Sequence, residues 1–148
     1  MNYLNKSESA QRRDERDRML TMLYFEIYDS LNKKEVPNSK QVALELAINN
    51  GTPPYNVSFD RAYVVIPKLL RNELVPFHSE VNKLMWLDIT HKVRSIVSQG
   101  KMSIAQALPI VLEQCRASRF FLTKQHAWVI IKRTLSAMNI RRPYGRVA

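Results

Sequence analysis

A short segment near the C-terminus combines residue types that bind nucleic acid. Lys124, Trp128 and Lys132 recur every four residues, so they share one face if the segment is helical, and Gln125 and Arg133 lie beside them. Lysine and arginine pair with phosphate or guanine, glutamine hydrogen-bonds adenine, and an exposed tryptophan stacks on a base. The alternative is structural: Trp128 belongs to a hydrophobic core and the charged side chains form a solvated face.

Further arginines lie on both sides of this segment. Arg119 precedes it, and the tail "NIRRPYGRVA" carries three more arginines around a proline, a tyrosine and a glycine. Basic arms of this composition contact phosphates or a groove, although a terminus without a role is an equal alternative. We therefore predict nucleic-acid contacts by Lys124, Gln125, Lys132, Arg133, Arg119, Arg141, Arg142 and Arg146.

The positive charge of the chain is confined to its second part. Residues 1–88 contain 12 Lys and Arg and 12 Asp and Glu, so their net charge is 0. Residues 89–148 contain 11 Lys and Arg and the single acid Glu113, so their net charge is +10. A segment this basic favours a polyanion, most often nucleic acid, as its partner. The alternatives are a surface that only keeps the protein in solution, or contact with an acidic protein.

The segment that begins at Thr123 has a counterpart earlier in the chain. At a shift of 65 residues, "SFDRAYVVI" from Ser58 aligns with "TKQHAWVII" from Thr123, and three of the apolar residues are identical. Ser58 and Thr123 are both preferred N-cap residues. Asn38 and Ser103 also correspond, and each is followed three residues later by glutamine, which is typical of a capping box. We infer an internal duplication.

Each copy contains the pattern of three helices. Caps and apolar residues spaced three to four apart predict helices at 10–32, 39–50, 59–71, 80–98, 104–115 and 124–138. The predicted fold is therefore all-α, with two tandem three-helix units that resemble helix-turn-helix modules. The units are residues 1–72, which are charge-balanced, and residues 80–138, which are basic; residues 73–79 form a linker and residues 139–148 a basic arm.

The third helix is the one that a helix-turn-helix module places against DNA. The two copies differ most at its first turn, where Phe-Asp-Arg in the first becomes Lys-Gln-His in the second. Because Asp60 would repel phosphate, we expect the second unit to bind. We expect the first unit, with aromatic Tyr24, Phe25 and Tyr28, to mediate self-association. The same helix order also describes three-helix bundles without a DNA partner.

No pattern of residues predicts catalysis, a cofactor or a metal site. Glycine-rich phosphate loops, the Ser-His-Asp order and paired CxxC motifs are absent from the sequence. Asp88 and His91 lie one turn apart, as metal ligands can, but no further ligand is close in sequence. The single cysteine, Cys115, fits a reducing compartment, and neither a signal peptide nor a membrane span fits the apolar runs.

The repeated phrase also resembles a pattern in other proteins. It consists of proline or arginine, an aromatic, an aliphatic, a Ser or Thr cap, and a helix with alanine at its fourth position. Its residues are Pro54, Tyr55, Val57, Ser58 and Ala62, and then Arg119, Phe120, Leu122, Thr123 and Ala127. The phrase is similar to one in uncharacterised small helical proteins of Bacteroidales and their phages. The resemblance implies a phage or mobile-element origin and no assigned activity.

Taken together, the charge and the repeat predict a non-enzymatic nucleic-acid-binding protein, with DNA favoured over RNA, in the cytoplasm of a bacterial host or in a virion. The alternative is a structural or adaptor protein, for example a virion or assembly component. Its basic half would then contact an acidic protein, or packaged DNA without sequence preference.

Overall fold

The computed structural model describes the backbone of residues 2–138 and the side chains of residues 10–137. Over this range the chain is all-α, as predicted, without a strand. Its helices are α1 (Asn2–Ser30), α2 (Ser39–Asn50), α3 (Phe59–Leu70), α4 (Glu80–Ser98), α5 (Ile104–Gln114) and α6 (Lys124–Met138). The last five helices agree with the prediction within one residue at each end. The first begins at Asn2 and ends at Ser30 instead of spanning 10–32.

Side-chain caps explain why the later helices begin where they do. Each cap oxygen accepts the backbone N–H three residues on, at 3.1–3.3 Å: Ser58 from Arg61, Ser79 from Asn82, Ser103 from Gln106 and Thr123 from His126. Ser103 and Gln106 complete the predicted capping box. The capping box predicted at Asn38 is wrong, because Asn38 has left-handed backbone with φ 55° and its side chain makes no cap hydrogen bond.

The helices pack as two three-helix bundles that differ from the two predicted units. The first bundle contains α1, α2 and α6, and the second contains α3, α4 and α5. Within the described residues, no helix of one bundle contacts a helix of the other. The third helix of each predicted unit is therefore exchanged. The division into residues 1–72 and 80–138 does not match the packing, and residues 73–79 connect two helices of the same bundle.

The exchange of α3 and α6 between the bundles also contradicts the predicted helix-turn-helix packing. In that module the second and third helices pack against each other across a short turn. Here α2 and α3 lie in different bundles, and so do α5 and α6. The consecutive pairs therefore do not form helix-turn-helix modules, although the order of the helices is the predicted one.

Two crossing segments, residues 51–58 and 115–123, carry the chain between the bundles. They meet in an antiparallel bridge between Pro54 and Arg116, and the Ala117 N–H donates to the Pro53 carbonyl at 2.8 Å. Each segment buries an aromatic ring beyond the crossing. Tyr55 packs in the core of the second bundle and Phe120 in the core of the first. The rings therefore anchor each third helix to the bundle that it joins.

Gly51, in the first crossing segment, lies directly against the Phe120 ring of the second. A Cβ atom at this position would lie 2.0 Å from Cε2 of Phe120, which is completely buried. Because a close-packed core has little room to yield, Gly51→Ala is expected to lower the free energy of unfolding by about 1–3 kcal/mol.

Chemical denaturation tests the Gly51 contact with one control and one double variant. Thr52→Ala, at the exposed neighbour, should change the free energy of unfolding by less than about 0.5 kcal/mol. Phe120→Leu should cost less in the Gly51→Ala background than in the wild-type chain, because the smaller side chain relieves the overlap. If the losses of unfolding free energy from the two substitutions are additive, Gly51 and Phe120 are not in contact.

A polar cluster supports the crossing on the side of the second bundle. The Tyr55 hydroxyl donates to Asp88 Oδ2 at 2.5 Å, and Lys92 Nζ donates to the Tyr55 oxygen at 2.6 Å. Lys92 also reaches the Arg116 carbonyl, and the Ser118 N–H donates to Asp88 at 3.3 Å. Burial alone would raise the pKa of Asp88, but these partners hold it below its ordinary value. Burial, and then the hydrogen bond to Asp88, raise the pKa of Tyr55.

Removal of the Asp88 charge is expected to destabilise the fold at neutral pH and to flatten its acid dependence. Because the folded pKa lies below the ordinary value of 3.8, the contribution of Asp88 is present above that pH and is lost as the pH falls through the folded pKa. Asp88→Asn should lower the free energy of unfolding by about 1–2 kcal/mol at neutral pH and by less in strong acid. Urea unfolding over a pH series measures both, with exposed Asp29→Asn as the control. An equal loss at all pH values would count against this role.

Candidate functional site

A cleft of about 400 Å³ lies between the two bundles. Its walls come from α1, α3, α4 and α6 and from the two crossing segments. The caps of three helices line it: Ser58 for α3, Ser79 for α4 and Thr123 for α6. Three helix N-termini therefore converge on the same space.

Corresponding residues of the two sequence copies line this cleft together. At the shift of 65 residues, Asn56, Val57, Ser58 and Arg61 correspond to Phe121, Leu122, Thr123 and His126. A further pair, Arg16 and Asn82, corresponds at a shift of 66 residues. An internal duplication with exchanged third helices would produce this arrangement. The third-helix N-termini, which the sequence places in separate units, are thus neighbours.

The charged side chains that line the cleft are two arginines. Arg16 and Arg61 line it together with the imidazole of His126, and no acidic residue is among the described lining residues. The acids of the first turns, Asp60 and Glu80, lie outside the lining. Helix N-termini carry partial positive charge and unpaired N–H groups, so they add to the attraction for an anion. The cleft is therefore suited to bind a phosphate group.

The two arginines of the cleft differ in exposure and in whether they already form an ion pair. Arg16 Nη2 lies 2.9 Å from Asp17 Oδ1, and its side chain is 18% exposed. Arg61 is exposed, and within the described residues it has no ion pair. Arg61 is thus the cation that a ligand reaches without breaking an existing pair.

The predicted binding residues of α6 are exposed, but acids of the first bundle pair with two of them. Lys124 Nζ lies 3.2 Å from Glu45, and Arg133 Nη2 lies 3.4 Å from Asp17. Gln125 is exposed next to the cleft residues Thr123 and His126 in sequence. The pair of Lys124 with Glu45 is exposed on both sides and contributes little free energy, so phosphate can compete for Lys124. Arg133 instead pairs with the buried Asp17. The exchange thus places Glu45 and Asp17, from the charge-balanced residues 1–88, against Lys124 and Arg133 of the basic residues 89–148.

Two other predicted positions have local partners. Lys132 Nζ lies 5.5 Å above the Trp128 ring, and Arg119 Nε donates to the Phe120 carbonyl at 3.3 Å. Trp128 itself packs edge-on against Tyr24, with 5.4 Å between the ring centroids. It therefore contributes to the core of the first bundle, in agreement with the structural alternative for this residue.

The aromatic residues that suggested self-association also pack internally. Tyr24 is 2% exposed, and it contacts both Phe25 and Tyr28. Phe25 and Tyr28 are partly buried against the same core. These rings therefore contribute to the core of the first bundle, and self-association of the first unit stays a prediction.

The predicted basic arm, residues 139–148 with Arg141, Arg142 and Arg146, lies outside the described residues. In the described part, no group of three His, Cys, Asp or Glu side chains is placed to hold a metal ion. None of the helices there is long and apolar enough to cross a bilayer.

None of the five predicted binding residues in the described range lines the cleft, so sequence reasoning missed its basic residues Arg16, Arg61 and His126. Arg16 belongs to "QRRDERDR", whose alternating charges indicate a solvated face, and Arg61 follows Asp60, which argues against phosphate binding. The signal that points to Arg61 is its correspondence to His126, once the third-helix N-termini are known to meet. No family model, no curated protein and no solved structure matches this chain.

Proposed function

We propose that the chain is a non-enzymatic nucleic-acid-binding protein that holds the phosphate backbone at the cleft. One observation carries the proposal: Arg16, Arg61 and His126 converge with three capped helix N-termini in a cleft whose described lining has no acid. Guanidinium groups and helix N–H groups are both good donors to phosphate oxygens. The net charge of +10 would draw a polyanion toward the protein.

The exposed face of α6 would extend the contact beyond the cleft. Lys124 and Gln125 begin the helix next to the cleft, and Lys132 and Arg133 follow two turns later. Lysine and arginine would contact successive phosphates, while the Gln125 amide can hydrogen-bond a base edge. Arg119 and the tail arginines Arg141, Arg142 and Arg146 remain proposed backbone contacts.

Which type of nucleic acid the chain binds has to be tested separately. The prediction of DNA over RNA depended on helix-turn-helix order, and the exchange of α3 and α6 removes the packing of that module. A cleft for phosphate is compatible with either backbone. The binding assay should therefore include duplex DNA, single-stranded DNA and RNA of the same sequence.

Fluorescence anisotropy over a series of salt concentrations tests the proposal. If phosphate contacts dominate, the logarithm of the affinity should fall linearly with the logarithm of salt concentration, with a slope of about −0.7 to −0.9 per phosphate neutralised. A poly-glutamate probe of similar charge is the control for charge alone. Absence of binding to all three nucleic acids at low salt would contradict the proposal.

A second candidate function is a structural or adaptor protein, for instance in a phage virion. Large apolar side chains are exposed on both α3 and α4, namely Tyr63, Val64, Leu84 and Leu87. Exposed apolar surface is typical of protein contacts. This function predicts that poly-glutamate binds as tightly as DNA, or that nucleic acids of all types bind equally without sequence preference.

A further inference from the structure

We propose that the cleft holds an unstacked nucleotide, so that the chain prefers single-stranded nucleic acid over duplex. This inference rests on the proposed function and names the form of its ligand. The cleft has two chemical faces that fit the two ends of a nucleotide. Cationic side chains come from α1 and α3, the His126 imidazole comes from α6, and apolar side chains come from α4 and the segment before α6.

The apolar face supplies one partly exposed aromatic ring for a base. Phe121 and Met85 line the cleft and are half-buried, whereas Trp86, at 4% exposure, belongs to the core of the second bundle. Bases that leave a stack pack on aromatic side chains, and such stacking tolerates any base because every base has a π-face. Phe121 is therefore the residue on which a base can stack.

Two amide side chains give the same space hydrogen-bonding capacity. Asn56 and Asn82 line the cleft, and within the described residues no hydrogen bond engages either side-chain amide. Asparagine presents both a donor and an acceptor, which matches the edge of a base. The arginines thus match the phosphate of a nucleotide, the Phe121 ring matches the plane of its base, and the amides match the edge of the base.

The volume of the cleft, about 400 Å³, lies within the range of ligand pockets, about 300–1,000 Å³, and admits one nucleotide. In a duplex the bases are stacked and paired, so a base reaches the Phe121 ring only after costly unstacking. A single strand offers its bases without that cost.

Anisotropy titrations of the full chain with labelled single-stranded and duplex probes of one sequence test the inference. The wild-type chain should bind the single strand at least about tenfold more tightly. Phe121→Leu, which keeps apolar packing but removes the ring, should reduce this preference to about threefold or less without weakening duplex binding. Phe59→Leu is the matched control, because Phe59 is half-buried against the same core but does not line the cleft. Thermal melting confirms that both variants fold.

The outcomes separate this inference from the proposed function. Equal affinity for the two probes would overturn the single-strand preference and leave phosphate binding intact. An unchanged preference in Phe121→Leu, or an equal loss in Phe59→Leu, would overturn the assignment of the base to this cleft. Failure of both probes to bind at low salt would overturn the proposed function together with the inference.

Discussion

Residues 1–72 and 73–148, produced as separate fragments, are each expected to be largely unfolded and to regain a cooperative helical fold when mixed. The first fragment contains α1, α2 and α3 but lacks α6, which completes the core of its bundle. Without α6, Leu20, Ala47 and Ile48 lose the cover of Ile130, Ile131 and Phe120. The second fragment lacks α3 and Tyr55, so the core of its bundle is open as well.

Circular dichroism of each fragment, alone and in an equimolar mixture, measures this effect. A matched control is the full chain with a protease site placed in residues 73–79. After cleavage it should remain a single folded complex, because each exchanged helix still holds the two pieces together. A fragment 1–72 that folds cooperatively on its own would contradict the exchange, because α3 would then occupy the place of α6.

Arg61→Glu is expected to weaken binding to nucleic acid by at least about tenfold at low salt, which corresponds to about 1.4 kcal/mol. The substitution removes the cleft cation that has no described ion pair and places a carboxylate opposite phosphate. It should also reduce the steepness of the salt dependence by about one phosphate contact. Because Arg61 is exposed, the stability of the fold should change little.

The control for Arg61→Glu is Arg94→Glu, which makes the same change of charge on an exposed residue of α4 outside the cleft. If general charge alone governs binding, the two variants should lose the same affinity. A local phosphate site predicts a much larger loss at Arg61. Equal effects in anisotropy titrations would therefore reject the cleft as the site.

Local signals in the sequence were sufficient to place the helices. Ser58, Ser79, Ser103 and Thr123 each bond the N–H three residues on, and such caps depend only on neighbouring residues. Asn38 shows the limit of the same reasoning. An asparagine also adopts left-handed backbone easily, and here that conformation replaced the side-chain cap.

The exchange of third helices could not be predicted from the same signals. The apolar positions of α3 and α6 correspond, with Ala62 equivalent to Ala127 and Ile66 to Ile131, so either helix presents a suitable face to either bundle. The choice depends on contacts distant in sequence, such as Gly51 against Phe120 and Tyr55 with Asp88. Periodicity does not report such contacts.

The cleft was not among the predicted sites. Charge counts favoured the basic half and the face of α6, because charge is a property of the sequence. The cleft instead depends on the meeting of Arg16, Arg61 and His126, which come from three helices and both bundles. Asp60, the reason for expecting no binding by the first copy, lies outside the lining.

Amide chemical-shift mapping tests the central claim most directly, because it locates the ligand on the folded chain. A ¹⁵N-labelled protein is titrated with a short single-stranded oligonucleotide at low salt. The account predicts that the largest shifts fall on residues 56–62 and 121–127, the two equivalent stretches that meet at the cleft. Shifts confined to the outer faces of α3 and α4, around Val64 and Leu87, would contradict it, as would the absence of any shift.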